Sequence, residues 1–155
     1  MSTSTTSTTN GRPSQAATAI QRFFTGASVS LYRLSGGAIA GRIGKSPVLL
    51  LTTTGRKSGK QRTTPVLYLV DGTRWIIVAS YAGAPVHPTW WLNLKANSQA
   101  EIQVGRQIVQ VTAAQADSEE RARLWPSLTA MYPSYTEYEK KTSREFPVVI
   151  LTPVK

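Results

Sequence analysis

The chain has 155 residues, 41% of them hydrophobic, and 18 Lys+Arg stand against 8 Asp+Glu for a net charge of +10. That is enough chain for one domain with a buried core, and the charge balance points to anionic partners. With no cysteine and a single histidine, His87, disulfides, thiol nucleophiles, zinc–thiolate sites, cysteine-ligated iron–sulfur clusters and multi-histidine metal centres are excluded, so no metal is expected.

Taken in chain order, residues 1–17 are Ser/Thr-rich, and the stretch from Ser2 to Gln15 has no hydrophobe; a disordered tail is expected. It is no secretory signal, and no apolar run approaches the ~20 residues of a spanning helix. A cytoplasmic protein is the expectation, with attachment to the inner membrane surface still open. Over residues 18–37, Ile20, Phe23, Phe24, Ala27, Leu31 and Leu34 recur at three and four, an apolar stripe on a helix that Gly36-Gly37 ends. That stripe packs on its own domain or, with Arg22 and Arg33 beside it, lies on an anionic bilayer, where each cation adds roughly 1 kcal/mol.

Residues 38–155 form the main domain. "VLLLTT" from Val48 is a short β-rich run, and "TTPVLYLV" and "RWIIVAS" read as two strands joined by a turn at Asp71-Gly72. "TWWLNLKAN" is a short helix opened by Pro88, and "EIQV" and "QIVQVTAAQA" pair across Gly105-Arg106. Asp117 with Glu120 resembles an N-cap and its box partner before "SEERARLWPSLTAMY". A second short helix carries Tyr135 and Tyr138, and "PVVILT" is the closing buried strand. About six strands with interposed helices and no βαβ alternation predict an α+β fold built on a small antiparallel barrel.

Charge is unevenly spread. Met1 to Val70 holds nine bases and no acid, and the densest cluster is "TTTGRKSGKQRTTP", Thr52 to Pro65. It is not a Walker A loop, because Gly55 and Gly59 are one residue too close and Gln61 follows Lys60. No G-x-G-x-x-G follows a strand, so a Rossmann dinucleotide site is unsupported. A glycine-flanked loop can still present backbone N–H groups, with Arg56, Lys57, Lys60 and Arg62 as charge-assisted donors worth roughly 1.5–3 kcal/mol each when partly desolvated. From spacing alone, a solvated loop, a nucleic-acid face and a phosphorylated cofactor all remain open; the aromatics do not interleave with the cations as stacking on nucleic acid requires.

The run "LLLTTTGRKSGKQRTTPVLYLVDGTRWIIVAS", then "GAPVHPTWWLNLKAN", then "MYPSYTEY" resembles the deazaflavin-dependent nitroreductase family of actinobacteria and is similar to its quinone reductases. The resemblance covers Pro47 to the C-terminus. It implies a split β-barrel of the FMN-binding type and a cofactor, the reduced 8-hydroxy-5-deazaflavin coenzyme F-420, whose phosphodiester and polyglutamate tail would account for the cationic loop. By that likeness Arg56, Lys57, Ser58, Lys60, Arg62 and Pro65 border the tail, and Ala79, Ser80, Tyr81, Trp90 and Asn93 border the ring. The pattern departs from the family at Tyr81-Ala82, where the family carries a lysine and a glycine.

The resemblance further implies hydride transfer to a quinone of the menaquinone kind or to a nitroaromatic, the chemistry being the cofactor's. Tyr132, Tyr135 and Tyr138 would form the acceptor wall, with Tyr135 and Ser80 as catalytic donors. His87 is expected to be a structural loop histidine. Two other readings stay open: a non-catalytic module binding nucleic acid or a cofactor, and a flavin mononucleotide reductase whose phosphate uses the same loop. No nucleic-acid partner is expected under the leading one.

Overall fold

The computed structural model describes residues 26–38 and 40–154. The expected tail over residues 1–17 and the expected helix as far as Thr25 lie outside the described residues. Within them the chain forms α1 (Gly26–Ser35), β1 (Arg42–Ile43), β2 (Ser46–Thr54), β3 (Gln61–Leu67), β4 (Leu69–Asp71), β5 (Arg74–Val78), a 3-10 turn (Tyr81–Gly83), α2 (Thr89–Ala96), β6 (Gln99–Val104), β7 (Gln107–Gln115), α3 (Ser118–Met131), α4 (Ser134–Glu139) and β8 (Val148–Pro153). This is the expected α+β split barrel, with two strands more than the sequence suggested.

The eight strands form one antiparallel sheet in the order β1-β2-β6-β7-β8-β5-β4, with β3 also on β2. The run "TTPVLYLV" is not a single strand. It breaks at Tyr68, β3 pairing with β2 and β4 with β5. One residue thus joins two distant edges of the sheet, which must curl until they meet. Tyr68 N–H donates to Pro47 O at 3.2 Å, holding the crossing in place. Pro65 sits in β3 opposite Leu50; β3 pairs on one side only, where a residue without N–H is tolerated.

The near-continuous apolar runs follow from burial on both faces. In β2, Leu49 and Leu51 join a core with Ile77, Ala79, Ile102, Val111, Val149 and Leu151, into which α2 inserts Trp90, Trp91 and Leu94. Val48 and Leu50 face the other way, under Tyr32 of α1. Strands β5 and β8 divide in the same manner, sending Ile76, Val78, Val148 and Ile150 to a second core with Leu124, Leu128, Tyr135 and Phe146.

Helix α1 is held by Tyr32, 1% exposed, whose hydroxyl lies 2.9 Å from Val48 O and 3.2 Å from Gln103 O and accepts from Gly105 N–H at 3.0 Å. Its packing face therefore runs through Tyr32, whereas Leu31 and Leu34 of the expected stripe point outward, 45% and 82% exposed. Helix α3 starts as expected: Asp117 Oδ1 accepts from Glu120 N–H at 2.8 Å. The reciprocal half of the box is not made, because the Glu120 carboxylate turns to Arg123 (2.8 Å) and Arg74 (3.6 Å). No helix among the described residues is long and apolar enough to cross a membrane.

Asp71 ties the β4–β5 hairpin to α3. It accepts from Arg74 Nη2 at 2.6 Å and from Arg123 Nη1 and Nη2 at 3.2 and 2.9 Å. Hydrogen bonds from Arg123 and then Arg74 hold its carboxyl at about 2, below the ordinary 3.8. A depressed carboxyl stabilises the fold above its unfolded value and loses that contribution as pH falls through the folded one. Asp71→Asn should therefore lower the thermal midpoint at neutral pH, with the gap to wild type closing between about pH 4 and pH 2. A gap that stays constant down to pH 2 would contradict the clamp.

Candidate functional site

The cationic loop closes the β2–β3 hairpin. Gly55 N–H donates to Lys60 O and Gly59 N–H to Gly55 O, both at 2.8 Å, and Lys60 N–H to Ser58 Oγ at 3.2 Å. A Cβ on Gly55 would lie 2.7 Å from Ser58 Oγ and 3.2 Å from Lys60 O, so a side chain there would displace the Ser58 hydroxyl that accepts from Lys60 N–H. Arg56 N–H donates to Asn93 Oδ1 at 3.1 Å, and Asn93 Nδ2 donates to Thr53 Oγ1 at 3.2 Å. An N–H can only donate, so this bond fixes which way the Asn93 amide faces.

Two expectations change here. The loop spends the N–H groups of Gly55, Arg56, Gly59 and Lys60 internally, which leaves the side chains as its main donors. Asn93 is only 2% exposed and acts as a tether from α2 to the loop. Arg56, Lys57, Lys60 and Arg62 are all exposed, and among the described residues none of them has an ion pair.

At the end of β5 the backbone does something unusual. Tyr81, Ala82 and Gly83 take φ of 48°, 53° and 78° in succession, a left-handed turn that side chains with a Cβ disfavour by roughly 1–2 kcal/mol per residue. Gly83 is required twice: by its φ, and because a Cβ would sit 2.8 Å from Tyr138 O. Ala79 and Ser80, 0% and 7% exposed, enter this turn from the core that holds Trp90.

What holds the turn is Arg144, which no sequence motif singles out. Its guanidinium donates to the carbonyls of Ala79, Ser80 and Ala84 and lies 3.0 Å from His87 Nδ1. Its carbon stands 4.9 Å over the Phe146 ring. Burial pulls the Arg144 pKa down. It also pulls down that of His87, where the Arg144 and Lys95 charges add to the effect. His87 is thus neutral at physiological pH.

The three tyrosines of α4 and its approach cluster as expected, but not with equal roles. Tyr132 and Tyr138 join hydroxyl to hydroxyl at 3.0 Å. Tyr135 is 3% exposed, edge-on to Tyr132 at 5.0 Å and tilted against Trp125 at 6.1 Å. Burial raises the pKa of Tyr135 and of Tyr138, and for Tyr138 the Tyr132 hydrogen bond adds to it. Both remain protonated donors throughout the neutral range.

A physical chain links the two halves of the site. The cationic loop meets Asn93 on α2, His87 just before α2 meets Arg144, Arg144 holds the left-handed turn, and Gly83 of that turn abuts Tyr138. A separate groove of about 490 Å³ lies across the outer face of β2 and β6, lined by Arg33, Thr52, Glu101, Gln103, Arg106 and Ile108. Its Glu101 accepts from Gln110 at 2.9 Å.

Residues 25–153 match the model of the F420H(2)-dependent quinone reductase family. The chain belongs to this family. An F420H(2)-dependent quinone reductase of Mycobacterium tuberculosis strain H37Rv is 45% identical over 127 residues, 79% of this chain and 85% of that protein. Among solved structures, an F420-H2 dependent reductase, FDR-A, is 40% identical with a TM-score of 0.63, covering 68% of this chain and 93% of its own. Another, described as a domain-swapped dimer, is 33% identical with a TM-score of 0.66, covering 86% and 98%. The reductase is accordingly an oxidoreductase whose cofactor is reduced coenzyme F-420.

The donor set of this reductase suits an anionic coenzyme: four exposed cations without carboxylate partners, on a loop fastened to the core. The reductase places Ala82 at φ 53° and ψ 30°, where a Cβ is strained. Ala82→Gly is therefore expected to raise stability by about 0.5–1 kcal/mol, and Gly83→Ala to lower it by more than that. Urea unfolding of the two variants checks both signs, and a destabilised Ala82→Gly protein would refute the strain.

Proposed function

We propose that the reductase transfers a hydride from reduced coenzyme F-420 to a quinone, with the coenzyme's anionic tail held by Arg56, Lys57, Lys60 and Arg62. The observation that carries this is the unpaired charge of those four side chains on a loop that Asn93 and Ser58 keep in one shape. Such preorganisation reduces the entropy lost on binding. Lys57 and Ser58 add backbone N–H groups that the loop does not use itself, and Pro65 and Arg62 extend the same edge along β3.

The left-handed turn and the tyrosine face complete the proposed cleft. Ser80, Tyr81 and Trp90 border the ring side, and the Tyr132–Tyr138 hydroxyl pair donates to the acceptor's oxygen, which gains charge as it is reduced. Tyr135 backs that pair from within the cluster and reaches an acceptor only if the cluster parts. The bound coenzyme supplies the hydride, and one further proton completes hydroquinone formation. A nitro group presents a similar oxygen to the same donors, so nitroaromatics are proposed as alternative acceptors.

Fluorescence titration with the coenzyme, beside flavin mononucleotide and a DNA oligomer, tests the reading. Selective micromolar binding should weaken at least tenfold in an Arg56→Ala, Lys57→Ala double variant, about 1.4 kcal/mol or more. Equal binding of flavin mononucleotide would replace the cofactor assignment for this chain. DNA binding that falls steeply with salt, without coenzyme binding, would favour a nucleic-acid module.

A second observation bears on where the quinone is met. Leu31 and Leu34 are exposed on α1, an apolar face that the described residues leave uncovered, while Arg33 of the same helix turns to Thr63 Oγ1 at 3.0 Å. We propose that this face rests on an anionic lipid surface, which holds lipid-soluble quinones. Leu31→Ser with Leu34→Ser should weaken sedimentation with anionic vesicles several-fold and leave turnover of a water-soluble quinone unchanged. Unaltered vesicle affinity would remove the docking claim.

A further inference from the structure

Arg144 lies in the irregular segment between α4 and β8, outside the three sequence stretches that carry the family resemblance. Its guanidinium has five N–H groups, and each meets an acceptor. Nε donates to Ala84 O at 3.2 Å, Nη1 to Ala79 O at 3.0 Å and to His87 Nδ1 at 3.0 Å, and Nη2 to Ser80 O at 2.8 Å and to Ala84 O at 3.0 Å. No carboxylate pairs with it among the described residues. Its charge is offset by three carbonyl dipoles and the face of Phe146.

We propose that Arg144 is the positioning residue of the reductase cleft, fixing at once the shape of the Ala79–Ala84 turn and the tautomer of His87. This rests on the functional reading above. The three carbonyls it gathers bracket Tyr81, Ala82 and Gly83, so the guanidinium ties together the two ends of a segment whose φ values are left-handed throughout. Without that tie the turn is free to relax toward ordinary φ, moving Ser80 and Tyr81 relative to Tyr138.

The His87 limb follows from donor logic. An arginine N–H can only donate, so Nδ1 carries no proton and the single proton of the neutral ring sits on Nε2. The charged groups facing His87 are Arg144 from the segment before β8 and Lys95 from α2, and both oppose a second proton. His87 is therefore a fixed N–H donor at the mouth of α2, and it is not a proton reservoir at neutral pH.

Lysine cannot replace this arrangement, because one ammonium cannot span three carbonyls and an imidazole in a plane. His87 is the only histidine, so 15N-labelled histidine gives one assignable ring. Wild-type protein should show the Nε2–H tautomer above neutral pH. Arg144→Lys should give a mixed tautomer and cost about tenfold or more in kcat, while KM for the coenzyme stays within about threefold because the cationic loop is untouched.

His87→Gln keeps an acceptor for Nη1 and should retain kcat within about threefold, whereas His87→Leu removes the acceptor and should not. If Arg144→Lys fails to fold, the wild-type spectrum and the Gln/Leu pair decide the question. An Nδ1–H tautomer in wild type, wild-type kcat in Arg144→Lys, or equal effects of Gln and Leu would overturn the proposal. A wild-type protein that does not turn over reduced coenzyme would instead overturn the functional reading, and the tautomer would still report whether the Arg144–His87 bond exists.

Discussion

The left-handed turn is held by a partly buried charge without a carboxylate partner among the described residues. Arg144 is partly withdrawn from water, which lowers its pKa, and it is met by backbone carbonyls and an aromatic face. Desolvating a cation is expensive, and carbonyl dipoles offset that cost only when they converge in good geometry. The left-handed turn supplies this convergence. The turn presents the carbonyls, and the guanidinium joins the residues on either side of Tyr81–Gly83.

From that centre the rest of the molecule is scaffolding with a clear logic. The sheet curls because Tyr68 joins strands that pair with different partners, and curling gives β2, β5 and β8 two buried faces each. Helix α2 fills the inner face with Trp90, Trp91 and Leu94. Its position lets Asn93 hold the cationic loop and lets the preceding His87 meet Arg144. One short helix thereby relates the cationic loop to the turn and, through it, to Tyr138.

Much of this was legible in the sequence, and the exceptions have physical reasons. β-branched and leucine runs marked the strands, Asp117 marked the start of α3, and the acid-free run marked the cationic loop between β2 and β3. The break at Tyr68 was invisible because both flanking segments are genuine strand formers; only the pairing partners differ. Arg144 escaped notice because its acceptors lie 57 to 65 residues away in sequence, and nothing local in "TSREFP" announces them. Asn93 was expected to border the cofactor ring; it is buried, and its hydrogen bonds go to Arg56 and Thr53. On α1 the three-and-four spacing suggested Leu31 and Leu34 as the packing face; the tyrosine between them took that place because its hydroxyl finds three backbone partners.

The central claim is that the cationic loop and the left-handed turn serve one ligand. Hydrogen–deuterium exchange of the full chain, with and without coenzyme F-420, tests it most directly. The account predicts slowed exchange on binding in both residues 55–62 and residues 79–84, with little change in α3. Protection confined to one of the two segments, or found only along the outer groove between α1 and β6, would contradict it.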